Sequence, residues 1–171
     1  MRAVDNIELR FAETEDLDEV SALFYAATEE MNLNNIPQWD EVYPDRRTFA
    51  EDIERHEMQL IIIDGQIAAV FVLSKEYDVL YQTGKWKYPD SQFKILHRIC
   101  VHPHFQNRGL AKTTMNIIFD ILRKEGIETL RFDGFTLNPY AIRLYKSLEC
   151  NIVGTVDFRK GKFFLYEKYL C

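Results

Sequence analysis

At 171 residues, 47% hydrophobic and 28% charged, the chain has the size and composition of one globular domain burying roughly 70% of its unfolded surface. Its net charge of −6 speaks against general nucleic-acid binding, which needs a basic stripe along the phosphates. No apolar run approaches the roughly 20 residues that span a bilayer, no basic-then-apolar leader pattern opens the chain, and Cys100, Cys150 and Cys171 show no metal-ligand spacing.

The expectation is therefore a single domain over 1–171 in the cytoplasm, with neither a membrane nor nucleic acid as partner. Ile7-Glu-Leu-Arg-Phe11 alternates apolar and polar residues, the pattern of a half-buried strand. Thr14 is placed to cap a helix with Glu15, Asp16 and Asp18 in its first turn and Leu17, Val20, Phe24, Ala27 and Met31 as its apolar stripe. Residues 32–44, which include Pro37, Trp39 and Tyr43, read as an irregular loop. A second short helix runs from Asp45 to about His56. Leu60–Ile63 and Ile67–Leu73 flank Asp64-Gly65, a type I′ hairpin signal.

Tyr77–Ser91, with Gly84, Trp86, Tyr88 and Pro89, reads as a flexible aromatic loop. Phe93–Val101 is the next strand, closed by Pro103. A helix from about Arg108 to Lys124 turns Leu110, Thr114, Ile117, Ile118 and Ile121 inward and ends at Gly126. Thr129–Phe132 is a strand, and Asn138-Pro139 opens a helix carrying Ala141, Ile142, Leu144, Tyr145 and Leu148. Ile152–Asp157 and Lys162–Lys168 close the chain as two strands around Arg159-Lys160-Gly161. The order β-α-α-β-β-β-α-β-α-β-β predicts an α/β (α+β) fold, a mixed central sheet of about seven strands with four helices. Tight hairpins force antiparallel pairs, and helical crossovers favour parallel ones.

The charge is unevenly divided. Residues 1–57 carry sixteen Asp or Glu against five Lys or Arg, a balance of −11, which leaves +5 for the remainder. No carboxylate lies between Asp90 and Asp120, whereas Lys94, Arg98, Arg108 and Lys112 do. Within that gap a strand leads through a glycine-bearing loop into an amphipathic helix. Such a loop points unpaired backbone N–H groups at one spot, and the helix dipole adds positive potential. An anion, typically a phosphate, is expected there.

Three local patterns then carry a resemblance. Gln106-Asn-Arg-Gly-Leu-Ala111 matches the phosphate loop Q/R-x-x-G-x-G/A, Ile99-Cys-Val-His-Pro103 matches the strand before it, and Asn138-Pro-Tyr-Ala-Ile-Arg-Leu-Tyr145 matches Asn-x-x-Ala-x-x-x-Tyr. With the order of elements, they make the chain resemble the GNAT family of N-acetyltransferases over nearly its whole length, most strongly from Leu96 to Lys168. Two departures stand out: Ala111 in place of the more frequent second glycine, and Glu149-Cys-Asn-Ile152 in place of Gly-Phe.

The resemblance implies acetyl-CoA as co-substrate and no metal. It implies that Gln106, Asn107, Arg108, Gly109, Leu110 and Ala111 cradle the CoA pyrophosphate, with Lys112 adding charge, and that Ile99, Cys100 and Val101 pair with the pantetheine arm. A bulge in that strand, if present, would free N–H groups to polarise the thioester carbonyl. Tyr145 would protonate the departing thiolate, and Asn138 would bond pantetheine amides or cap its helix. His97 is a candidate base; Glu76, Asp78 and Asp133 are further candidates, and bulk water is another. Cys100 is not expected to act as a nucleophile, and His102 and His104 lack a third ligand of convincing spacing for zinc.

The acceptor wall would come from the first two helices, residues 32–44 and residues 77–92, with Tyr25, Glu29, Trp39, Tyr43, Trp86 and Tyr88. Aromatics among carboxylates favour a cationic amine, carried by a small molecule or a peptide. A homodimer is compatible with this reading. The rival from another class is a non-catalytic CoA-binding sensor. A dinucleotide-binding domain would need Gly-x-Gly-x-x-Gly after the first strand, and the sequence has no such run.

Overall fold

The computed structural model describes residues 6–171. Seven strands form one sheet: β1 (Ile7–Phe11), β2 (Met58–Ile63), β3 (Gln66–Ser74), β4 (Phe93–Val101), β5 (Thr129–Phe135), β6 (Asn151–Phe158) and β7 (Gly161–Tyr169). Their spatial order is β1-β2-β3-β4-β5-β7-β6, and only β4 and β5 pair in parallel. Four helices accompany them: α1 (Leu17–Leu33), α2 (Arg46–Glu54), α3 (Leu110–Lys124) and α4 (Pro139–Ser147). The predicted order of elements and the mixed sheet both hold.

Alternation sorts the side chains of β2 and β3 to two faces. Ile61, Ile63, Ala69, Phe71 and Leu73 join Met115, Ile118, Phe119 and Leu122 of α3 and Tyr145 of α4. Leu60, Ile62, Val70 and Val72 join Val20, Leu23 and Phe24 of α1 and Phe49 and Ile53 of α2. Strands covered on both faces read as unbroken apolar runs, as Leu60–Ile63 and Ile67–Leu73 do. The β2–β3 turn takes Asp64 at φ 51° and Gly65 at φ 79°, the two positive values that a type I′ hairpin demands.

Three expectations need correction. The cap before α1 is a reciprocal pair of Glu13 and Asp16 around one short turn, so Thr14 is not the cap; the Glu13 amide donates to Asp16 at 2.7 Å. On β1, Ile7, Leu9 and Phe11 each stay more than a third exposed, because this is the outermost strand and pairs only with β2.

Residues 77–91 are packed, not loose. Tyr81 is buried in the tight turn Val79–Thr83, and Trp86 donates from Nε1 to the Tyr81 carbonyl at 2.8 Å. Glu167 accepts the amides of Lys87 and Tyr88 at 2.8 and 3.3 Å. Arg131 is held between Trp86 and Phe93, at 4.5 and 4.0 Å from the ring centres.

Candidate active site

A cleft of about 1100 Å³ runs from the start of α3, past β4 and β5, to the carboxylate-lined ends of α1 and α2. That exceeds the roughly 300–1,000 Å³ typical of a single small ligand. Its first end is the loop between β4 and α3. Asn107 and Gly109 take positive φ, 61° and 75°, and Gly109 is the residue before the helix. The first in-register helical bond runs from Thr113 N to Gly109 O at 3.0 Å. None of the amides from Asn107 to Lys112 makes a well-formed hydrogen bond to another described residue. Consecutive free N–H groups at a helix start form an anion cradle. Gln106 plays a different part from its neighbours, since its Nε2 donates back to the Val101 carbonyl at 3.3 Å and pins the loop to the strand.

The middle of the cleft is an opening in the sheet. β4 and β5 pair only at Phe93↔Thr129, Lys94↔Leu130 and Ile95↔Arg131. Beyond that point they part. On its other edge β4 pairs His97 with Val72 but Cys100 with Val70, so two residues of β4 stand opposite Phe71. This is a bulge, and Arg98 within it has φ 47°. Ile99 and Val101 pack towards α3, whereas Cys100 lies in the core on the α1 side, where burial pushes its thiol well above the ordinary range. Such a thiol is no nucleophile at neutral pH.

Tyr145 of α4 and Asp133 of β5 both line the cleft at that opening, from opposite faces of the sheet. The Tyr145 ring packs edge-on against Phe132 and Tyr166 at 4.8 and 5.0 Å between centres. Its hydroxyl has no partner among the described residues and is not sealed from the cleft. Burial raises its pKa, so the phenol keeps its proton. Gly134 admits this ring: a Cβ there would come within 2.9 Å of Tyr166 and 3.3 Å of Tyr145. Asn138 caps α4 by accepting from Ala141 N at 3.1 Å, and its amide donates to Gln38 at 3.0 Å. Asn138 therefore caps its helix, a role compatible with bonding pantetheine amides, and its side-chain amide also bonds residue 38.

Two titratable groups diverge. His97 hydrogen-bonds through Nε2 to the Glu76 carbonyl at 2.9 Å and to Ser74 Oγ at 3.0 Å. A carbonyl only accepts, so Nε2 carries the proton. Burial, then the nearby Arg98 charge, lowers the His97 pKa to about 4. Asp133 moves the other way, its carboxyl raised to about 6 by burial although Tyr81 donates to it at 2.5 Å. Glu76 pairs with Arg55 at 3.0 Å, and Asp78 accepts the Leu80 amide at 2.9 Å.

Of the acceptor-wall residues expected from sequence, Trp39 and Tyr43 line the cleft, and Tyr25, Glu29, Trp86 and Tyr88 do not. Tyr25 is 70% exposed, Trp86 is spent on Arg131, and Tyr88 stacks on Tyr169 at 4.3 Å. In their place stand Tyr77, Tyr81, Glu30, Glu51, Asp52 and Glu57. Among the described residues, Glu30, Glu57, Asp78 and Asp133 have no cationic partner in ion-pair range. Residues 34–45 strap this wall, held by Gln38 to Asn138, by Asp40 to Arg159 at 2.7 Å and Lys160 at 3.2 Å, and by Tyr43 to Arg98 at 2.8 Å. Sequence gave no sign of these ties, which join residues some 55 to 120 positions apart.

No group of three His, Cys, Asp or Glu among the described residues could hold a metal, and no described helix is long and apolar enough to cross a membrane.

Comparison with known proteins agrees with this architecture. A GNAT-family acetyltransferase structure from Streptococcus agalactiae superposes with a TM-score of 0.85 at 23% identity, covering 96% of each chain. The PaiA N-acetyltransferase of Thermoplasma acidophilum, in complex with coenzyme A, gives 0.72 at 16% identity, covering 96% of this chain and 99% of the other. The protein yncA of Salmonella typhimurium, solved with its cofactor acetyl-CoA, gives 0.68 at 16%, covering 96% and 94%. At these identities the likeness speaks for the fold. No curated protein matches the sequence. The sequence does match the family model for the acetyltransferase (GNAT) family over residues 17–149, more than half of the chain, and the protein belongs to that family.

Proposed function

We propose that the protein transfers an acyl group, acetyl by preference, from acyl-CoA to a cationic primary amine by direct attack. The observation that carries this reading is the row of free amides from Asn107 to Lys112 at one end of a cleft whose far end is rich in carboxylates. The first suits a diphosphate, the second an ammonium group, and the sheet opening lies between them. Two fold neighbours, PaiA and yncA, were solved with coenzyme A and acetyl-CoA, which supports the choice of donor.

The protein's own groups then have distinct work. Backbone amides 107–112, with Arg108 and Lys112 nearby, hold the diphosphate. The edge of β4 past the bulge, at Ile99–Val101, lies along the pantetheine and polarises the thioester carbonyl. The amine nitrogen attacks the carbonyl carbon, the C–S bond breaks, the Tyr145 hydroxyl protonates the sulfur, and the second proton shed by the nitrogen restores the phenol through solvent. Asp133, ionised above about pH 6, takes the proton from the incoming ammonium. His97 serves poorly here: at about 4 its basicity is too low, and its Nε2 is committed to Glu76.

An amine panel with acetyl-CoA, read as thiol release, tests the activity, and titration of Gly109→Glu with CoA tests the cradle. Gly109 has open space beside it, so a Glu side chain meets no neighbouring atom and places a carboxylate where phosphates should sit, although φ 75° strains any L residue there and the fold of the variant is checked alongside. Loss of CoA binding with an unchanged fold is expected. Undiminished binding would overturn the cradle, and CoA binding without turnover on any amine would favour a sensor.

A further inference from the structure

Arg98 occupies the bulge of β4 in the left-handed region, at φ 47°, where glycine is the economical choice. For an L side chain that conformation is strained. The guanidinium it carries is almost wholly enclosed, and each of its three nitrogens donates one hydrogen bond. Nε and Nη2 donate to the two oxygens of Asp52 on α2 at 2.7 and 2.6 Å, and Nη1 donates to the Tyr43 hydroxyl at 2.8 Å. The Arg98 and Asp52 side chains are only 12% and 5% exposed. Burial pushes the Asp52 carboxyl upward and the guanidinium pulls it back.

We infer that Arg98 is a positioning residue: its fork to Asp52 and Tyr43 fixes the β4 bulge, and with it the backbone groups that polarise the thioester, to the wall that receives the amine. The proposal rests on the acyl-transfer reading above. Three structural features converge on it. The residue that opens β4 is the residue that ties it down, and one of its anchors sits on α2 while the other sits on the 34–45 strap. Both anchors also line the cleft. An amine seated against Tyr43 or Asp52 therefore presses on the same unit that aims the carbonyl. A bidentate guanidinium transmits such a constraint because two parallel bonds fix orientation as well as distance, and a lysine ammonium would fix neither.

The test separates aiming from folding and from donor binding. Acetyl-CoA labelled with ¹³C at the acetyl carbonyl is bound to the whole protein, and the carbonyl stretch is read by difference infrared spectroscopy. The wild type should show a stretch lowered from its solution value. Arg98→Lys should bind acetyl-CoA within about threefold of wild type, yet lose most of that lowering and about tenfold or more in kcat. If Arg98→Lys does not fold, the double variant Arg98→Gly with Asp52→Asn replaces it, since glycine accepts the backbone conformation and no buried charge is left alone. A bound, correctly folded variant of either kind that keeps the lowered wild-type stretch and wild-type kcat would overturn the inference. A wild type that binds no acetyl-CoA would instead overturn the acyl-transfer reading.

Discussion

Tyr145 is one side chain whose place is bought by the absence of another. The phenol and the Tyr166 ring both crowd the bare face of residue 134, where a Cβ would come within 2.9 Å of Tyr166 and 3.3 Å of Tyr145. Tyr145→Phe should lower kcat about 10²-fold with CoA affinity retained, the range for a lost general acid. Gly134→Ala should lower it about tenfold by shifting the intact phenol, because small misplacements at a reacting centre are costly. Steady-state kinetics with CoA titration checks both. Asp133 sets a pH limit: turnover should fall as pH drops through about 6, and Asp133→Asn should remove that dependence along with most of the activity. Its stability effect has a definite sign. A carboxyl held above its ordinary pKa binds its proton more tightly when folded, so its contribution is full at acid pH and is lost as pH rises to about 6. Asp133→Asn should therefore raise Tm at pH 7. His97 acts oppositely, since its value of about 4 lies below the ordinary 6.5, and its contribution is lost as pH falls through that interval. Glycine at 109 and tyrosine at 145 were legible in the sequence because each belongs to a local pattern. The poise of Asp133 was not, because it arises from burial supplied by distant strands and by Tyr81.

Among the elements, the 34–45 strap has the least structure of its own and the most external ties. Arg159 is half exposed, and ion pairs open to water on one side contribute little stability, so Asp40→Ala should leave Tm within a few degrees of wild type. It should raise KM for the amine several-fold while the CoA Kd stays within about twofold, as paired kinetics and calorimetry would show. The bounds of β4 matched the sequence reading, Phe93–Val101, because alternation and Pro103 mark them. The bulge inside it was an open question, since register depends on the partner strand and on an ion pair to Asp52, 46 positions away. Residues 77–91 misled for a related reason. Gly84, Pro89 and scattered aromatics look like loop chemistry, yet Arg131 and Glu167, on strands far along the chain, pack and hydrogen-bond them into place. Trp86 and Tyr88, expected to meet the amine, are spent on that packing.

For the whole molecule, the uneven charge read from the sequence has a spatial counterpart. The carboxylates of α1, α2 and the segment after β3 gather at one end of the cleft, and the cationic, acid-free segment after β4 sits at the other. That polarity is legible in sequence order, because the two charge blocks belong to different elements. The sheet between them has a further property. Only three residue pairs join β4 to β5, so the sheet has two halves, β1–β4 and β5–β7, sewn by a short seam. A donor lodged across the gap would act as mortar as well as reactant, bridging edges that the polypeptide leaves unjoined. Acetyl-CoA should consequently slow amide exchange at 96–101 and 132–135 more than in β2, and at about 100 times its Kd it should add roughly 2.7 kcal/mol to stability. Uniform protection throughout the sheet would mean that the two halves are already bound as tightly without it.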